Sequence, residues 1–272
     1  MLFPSLPTIV QRHIRSLHKR SERERHQQCI IEGEHLCAEY CALVQAHVVA
    51  KPLCVVLQRD VLSTSQRMST LAQAFAHLGV DVYCTPERTF YLLSDTTTPQ
   101  GILAVVEYPC LAVETNQPMI VLDNVNDPGN VGTIIRTAEW FGVRNILLGQ
   151  GSADRFHPKT LRASMGSIFR CAVASTPNLA ITLQTEYSQY TLYGASVRGS
   201  LDVRDVQVTN TTAIIMGNES HGISADIHRL LHATLRITQA HASRAESLNV
   251  AVAAGIILYQ CFAQRHSTSP SP

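Results

Sequence analysis

A chain of 272 residues, 45% of them hydrophobic, can build one large domain or, on usual domain sizes, two. A formal net charge of +1 excludes a uniformly basic nucleic-acid binder, and no run reaches the roughly 18 apolar residues that a membrane helix needs. Eight cysteines are scattered without a Cys-x-x-Cys pair, mostly inside apolar runs, as small buried hydrophobes in a reducing compartment would be; neither they nor the twelve histidines show metal-ligand spacing.

The charge is uneven along the chain. Arg12, Arg15, Lys19, Arg20, Arg23 and Arg25, with His13, His18 and His26, face only Glu22 and Glu24, which reads as a local basic arm or, more plainly, as a solvated helix face. The first 21 residues also lack acids, a faint transit-peptide trait; the reading preferred is a cytoplasmic protein. Strands are then expected at 29–31, 53–57, 80–84 and 101–107, with helical periodicity through Leu36, Tyr40, Val44 and His47 and again over 65–78. Alternation of this kind gives a small α/β domain over 1–107. Residues 108–117 lack periodicity and carry Pro109 and Asn116, so they are expected to be a linker.

The second domain is expected over 118–265, with a Ser/Pro-rich disordered tail over 266–272. Strands at 119–122, 145–148, 192–195 and 212–216 with helices between them predict a parallel sheet covered on both faces. The stretch 119–142, MIVLDNVNDPGNVGTIIRTAEWFG, reads as strand, polar turn and helix, the helix face being Val131, Ile134, Ile135, Ala138 and Phe141. Asp127-Pro128-Gly129 permits a sharp reversal that leaves Asn130 able to cap the helix. Arg136 lies off the apolar face, and its guanidinium is expected to lean back over Gly132 towards Asn130; the plain alternative is an exposed helix arginine and a capping asparagine.

Two later stretches end strands with polar chemistry. In 213–222, AIIMGNESHG, Gly217, Asn218, Glu219 and Gly222 follow an apolar strand, as a ligand-approach site at a strand's carboxyl end would, or as a glycine-closed turn would. A strand at 235–237 leads through 238–245 into a helix expected over 246–263, apolar on nearly every side and so buried against the sheet and a second subunit. Its first turn holds Ser247 and Asn249, as caps or as partners for a ligand.

Three segments in this order, 124–136 (NVNDPGNVGTIIR), 214–222 (IIMGNESHG) and 246–254 (ESLNVAVAA), resemble the three motifs of the SpoU family of RNA ribose 2′-O-methyltransferases, TrmH-like members of the SPOUT superfamily. Pro158-Lys159 and 162–166 (RASMG) strengthen the likeness, which covers the chain from Met119 onward; 16–33 and 94–105 are more loosely similar to the family's substrate-binding domain. The resemblance implies S-adenosylmethionine as methyl donor, an rRNA or tRNA ribose 2′-hydroxyl as acceptor, a homodimer without metal or membrane, and a C-terminal trefoil knot. General topology rules argue against knots, so that element is carried by the resemblance alone.

Carried over residue by residue, Gly217, Asn218, Glu219, Ile237, Ser247 and Leu248 are the donor-binding candidates, and Asn130, Arg136 and Asn249 the catalytic ones. Arg15, Lys19, Arg20, Arg23, Lys159, Arg162 and Ser164 are candidates for RNA contact, the last three equally for dimer support. Because a guanidinium keeps its proton to a pH above about 12, Arg136 is read as a charged clamp oriented by Asn130, not as a base. Thr238 stands where the family usually has proline, which leaves open whether that loop is ordered without ligand. A nicotinamide dehydrogenase lacks support because no Gly-x-Gly-x-x-Gly follows a strand, Gly149-Gln150-Gly151 being only a fragment of one. The remaining alternative is a non-catalytic RNA-binding protein on the same fold.

Overall fold

The computed structural model describes residues 3–109 and 111–262; the tail expected over 266–272 lies outside them. The described residues form two compact units, one of 3–109 with Phe156–Phe169, the other of 111–155 with 170–262.

In the first unit, β1 (Gln28–Glu32), β2 (Cys54–Gln58), β3 (Val82–Thr85) and β4 (Ile102–Glu107) pair in the order β1-β4-β2-β3. Both β4 pairings are antiparallel and β2–β3 is parallel, so the α/β expectation holds with a mixed sheet. Ile30, Val56, Leu103 and Val105 meet Ile14 and Leu17 of the first helical segment and Phe90 in one core. Ser65 caps the helix Gln66–His77 through a bond from the Met68 N–H at 3.3 Å, the start that a serine before an apolar repeat predicts. Phe156–Phe169, which the sequence reading kept inside the second domain, belongs to this unit. Its buried aromatic ends account for that: Phe156 stacks on Tyr108 with centroids 3.7 Å apart, and Phe169 meets Tyr40 edge-on at 4.9 Å.

The second unit holds a seven-stranded sheet, β5 (Met119–Asp123), β6 (Asn145–Leu148), β7 (Ala172–Ser175), β8 (Thr191–Ala195), β9 (Leu201–Asp202), β10 (Thr212–Gly217) and β11 (Ala233–Arg236). Its order is β7-β6-β5-β10-β8-β11-β9 and every pairing is parallel, as the continuous apolar runs predicted. Each fully buried Ile, Leu or Val contributes roughly 1.5–3 kcal/mol, which is why the least exposed strands, β5 and β10, lie side by side near the centre. Met119, Val121, Ala213 and Ile215 pack on Leu179, Leu183, Tyr190 and Ile227. The helix Val250–Phe262 packs on the helix Pro128–Trp140, on β10 and on the turn Val203–Asp205. β7 and β9 were not expected from the sequence: β9 has two residues, and β7 buries only its first two, Ala172 and Val173, leaving no apolar run to read.

Because adjacent parallel strands end on the same edge, the turns after β5 and β10 are brought together although they lie far apart along the chain.

Candidate active site

The turn after β5 passes through Asn124, whose φ of 60° places it in the left-handed region, and enters the helix at Pro128. The N-cap is Asp127, not Asn130: the Asp127 Oδ1 accepts the Asn130 N–H at 3.0 Å, and Pro128 fills the first helical position, where no N–H is needed. Asn130 therefore keeps its side chain for other partners. Its Nδ2 donates to Glu219 Oε1 at 2.7 Å, and its Oδ1 accepts from Asn249 Nδ2 at 3.1 Å. One amide thus joins all three motif loops.

The loop after β10 is closed by its own backbone. The Asn218 N–H donates to Gly222 O and the Gly222 N–H to Asn218 O, each at 2.9 Å. A Cβ on Gly217 would sit 2.4 Å from the Gly222 carbonyl carbon and 2.5 Å from the Ile223 nitrogen. Glycine is required at 217 by this closure. Asn218 Nδ2 donates to Asn124 O at 2.9 Å and to Asn126 Oδ1 at 2.6 Å, pinning the loop to the first motif. Its Oδ1 accepts the Ser220 and His221 N–H groups at 2.9 and 3.1 Å, so the His221 Nδ1 lying 3.1 Å away donates to it.

The third motif begins differently from the expectation. The last helix starts at Val250, and Asn249 is its cap, the Oδ1 accepting from Ala251 N at 2.9 Å and Val252 N at 3.2 Å. Residues 246–249 form no helical turn: the Asn249 side chain takes the N–H groups that an earlier turn would have satisfied. Residues 238–249 are exposed throughout, Leu248 to 48%. Ser247 and Leu248 make no hydrogen bond among the described residues. At the loop's root the Thr238 hydroxyl donates to Asp202 Oδ2. Arg204 grips the same carboxylate through Nε at 2.8 Å and Nη2 at 3.0 Å, and these bonds, with Thr238 second to Arg204, hold the Asp202 carboxyl well below the usual carboxylate range.

Arg136 is exposed and makes no hydrogen bond or ion pair among the described residues, so the expected convergence on Asn130 is not a direct contact. Gly217, Ile237, Ser247 and Leu248 likewise make no side-chain bond to this network. In the first unit Arg15 and Lys19 are exposed and unpaired among the described residues, while Arg20 pairs with Glu24 at 2.7 Å. Arg23 is a correction. It is 2% exposed, and its Nη1 donates to Leu17 O and His18 O at 2.9 Å each, neutralising the carbonyl end of the first helix in place of meeting RNA. Ser164 is a second correction, fully buried with its hydroxyl bonded to Leu161 O at 2.8 Å. Lys159 is exposed, and Arg162 reaches Asp95 at 3.3 Å, tying the helix Pro158–Ser164 to the loop after Ser94. That loop is itself fixed by the buried Glu32, which accepts from the Ser94 hydroxyl, from Asp95 N at 3.0 Å and from the Thr96 hydroxyl at 2.9 Å.

Residues 117–259 match the SpoU rRNA Methylase family, more than half of the chain, and residues 10–104 match the MRM3-like substrate binding domain. The chain belongs to the SpoU rRNA methylase family. Among similar proteins, the 23S rRNA (guanosine(2553)-2′-O)-methyltransferase RlmP of Bacillus subtilis is 34% identical over 247 residues, 90% of this chain and 92% of that one. The AdoMet-bound rRNA methyltransferase of Sinorhizobium meliloti superposes with a TM-score of 0.78 at 27% identity, covering 98% of each chain. The SpoU methyltransferase AviRb of Streptomyces viridochromogenes in complex with AdoMet gives 0.79 at 25%, covering 95% of this chain and 99% of that one. The SpoU expectation, and with it the expectation of a donor-dependent RNA 2′-O-methyltransferase, is borne out.

The SpoU assignment agrees with the geometry. Free main-chain groups at Ser247 and Leu248 and an exposed Leu248 side chain suit an adenosine held by backbone bonds and apolar contact. Sequence reasoning missed Asp127, Asp202 and Arg204. Asp-Pro at a helix start was a usable capping signal; Asp202 gave none, since Thr238 lies 36 residues further on.

Proposed function

We propose that this chain transfers a methyl group from S-adenosylmethionine to a ribose 2′-hydroxyl of RNA, an rRNA on the names of its relatives, as a cytoplasmic homodimer. The observation that carries the reading is the bond chain Glu219–Asn130–Asn249, which joins three motif loops on one edge of the sheet, one helix holding both Asn130 and the uncommitted Arg136. A trefoil knot in the second unit belongs to the proposal, on the family resemblance.

Ser247 and Leu248, with Gly217 and Ile237, would hold S-adenosylmethionine, whose sulfonium supplies an electrophilic methyl group. Asn130 and Asn249 keep the loops in register, and holding reactants at attack geometry supplies about 7–11 kcal/mol in favourable cases. Arg136, permanently charged, favours the ribose alkoxide and clamps the ribose or its phosphate. Glu219 is engaged by Asn130 and acts as a loop organiser; the hydroxyl proton leaves through the substrate phosphate or water. Arg15, Lys19, Arg20, Lys159 and Arg162 are assigned to RNA contact. Dimerisation is supported by the outer face of the last helix, where Val252 and Tyr259 are 52% and 63% exposed and Tyr259 meets Phe141 edge-on with centroids 6.1 Å apart.

The test is Arg136→Ala, assayed by methyl incorporation into rRNA and by calorimetric donor binding. Turnover should vanish while donor affinity stays within a few fold. Equal collapse of both would refute the clamp, and wild-type protein that failed to bind the donor would favour the non-catalytic RNA-binding alternative.

A further inference from the structure

The stretch 238–249 carries the third motif's donor contacts and is exposed along its whole length, yet its first residue is fastened. Leu201 and Asp202 pair with Leu235 and Arg236, so Thr238 is the second residue beyond the last paired position, where the backbone leaves the sheet. The Asp202 carboxylate beneath it has no spare capacity. Oδ1 accepts the Arg204 N–H at 3.0 Å and Nε at 2.8 Å, while Oδ2 accepts Arg204 Nη2 at 3.0 Å and the Thr238 hydroxyl. The Asp202 side chain is 5% exposed and its bond to Thr238 part-buried, whereas the Arg204 side chain is 66% exposed and free to be altered. A bidentate guanidinium fixes the carboxylate in one orientation, and a fixed carboxylate fixes the hydroxyl bonded to it. The turn Val203–Asp205, begun by the same carboxylate, packs on the last helix, whose cap is the Asn249 of the site. Both ends of the loop therefore start from held points.

We propose that Thr238, anchored by Asp202 and Arg204, is a positioning residue for the methyl donor: it fixes the root of the loop so that Ile237 and Leu248 present their backbone groups before the donor arrives. The inference rests on the proposed donor site, and the preorganisation it supplies lowers the ordering cost of binding. Removing the hydroxyl frees about one backbone residue, which corresponds to about a tenfold loss of affinity.

The experiment compares Thr238→Val, Thr238→Ser and Arg204→Ala with wild type by hydrogen–deuterium exchange at the two hydrogen-bonded amides of the loop, Ser243 and Ala245, in donor-free protein and by calorimetry with S-adenosylmethionine. Thr238→Val should exchange faster and bind the donor about tenfold more weakly, with KM for the donor rising far more than kcat falls. Thr238→Ser should match wild type, and Arg204→Ala should shift both readouts in the same direction by less. Unchanged exchange in Thr238→Val overturns the anchor, and faster exchange at unchanged affinity overturns its role for the donor. Wild type that does not bind S-adenosylmethionine overturns the donor site itself, while the exchange comparison still decides the anchor.

Discussion

Asn249 performs two tasks with opposite ends of one amide, and Asn249→Asp separates them. The carboxylate keeps the acceptor that caps Ala251 and Val252, and Asn and Asp are near-equal caps, so the melting temperature should stay within about 1 °C of wild type. Asn249→Ala loses the cap at a cost of about 1 kcal/mol, which for a chain this long lowers the melting temperature by roughly 2–4 °C. The other end fares differently. The Asn130 amide has one donor side, given to Glu219 at 2.7 Å, and one acceptor side, given to Asn249 at 3.1 Å; opposite an aspartate it faces acceptors on both sides and must abandon one. A single hydrogen bond is worth about 0.5–1.5 kcal/mol net, so kcat/KM should fall by about 2- to 12-fold. The assay is methyl transfer from labelled S-adenosylmethionine to rRNA from cells lacking the gene, beside thermal melting by circular dichroism. Wild-type turnover in Asn249→Asp would refute the orienting role of the network; a melting temperature as low as that of Asn249→Ala would refute the cap.

Gly217→Ala sets a Cβ 2.4 Å from the Gly222 backbone, so the Asn218–Gly222 loop must open: stability should drop by about 1–3 kcal/mol, and calorimetry should show donor affinity lost with it. Undiminished affinity would mean that the loop's closure is unimportant to the donor. Arg23→Ala should destabilise the first unit because two helix-end carbonyls lose their donor, whereas Arg15→Glu with Lys19→Glu should leave melting unchanged and lower the salt slope of RNA binding by about 0.7–0.9 per lost phosphate contact. An unaltered slope removes those two residues from the RNA interface. Ile256→Asp places a charge on the open face of the last helix and should yield monomers in sedimentation; dimers at unchanged affinity would locate the interface elsewhere.

The strands carried enough local information to be found: β5, β6 and β10, buried on both faces, leave apolar runs, β8 buries only alternate residues, and all four lie within a residue of their expected places at each end. The helix Gln66–His77 was equally legible from its period and its serine cap. Residues whose importance is local chemistry, the glycine and asparagine positions of the three motifs, could be listed from the amino acids in order. What each side chain does was not. Asn130 was read as a cap because it stands at a helix start, and only the position of Asp127, one residue before Pro128, shows the cap already filled. Arg23 sits in a basic run and looked like its neighbours; the fold turns it inward onto two carbonyls.

By itself, then, the order of residues determined the alternation of strands and helices, the parallel sheet and the family, since periodicity, capping and motif spacing are properties of neighbours along the chain. Only the tertiary structure decided that Asn130 links Glu219 to Asn249, that Thr238 is tied to Asp202, and that Phe156–Phe169 belongs with the first unit. A hydrogen bond between residues 36, 89 or 119 positions apart depends on how strands are ordered in the sheet, and no local pattern encodes that order.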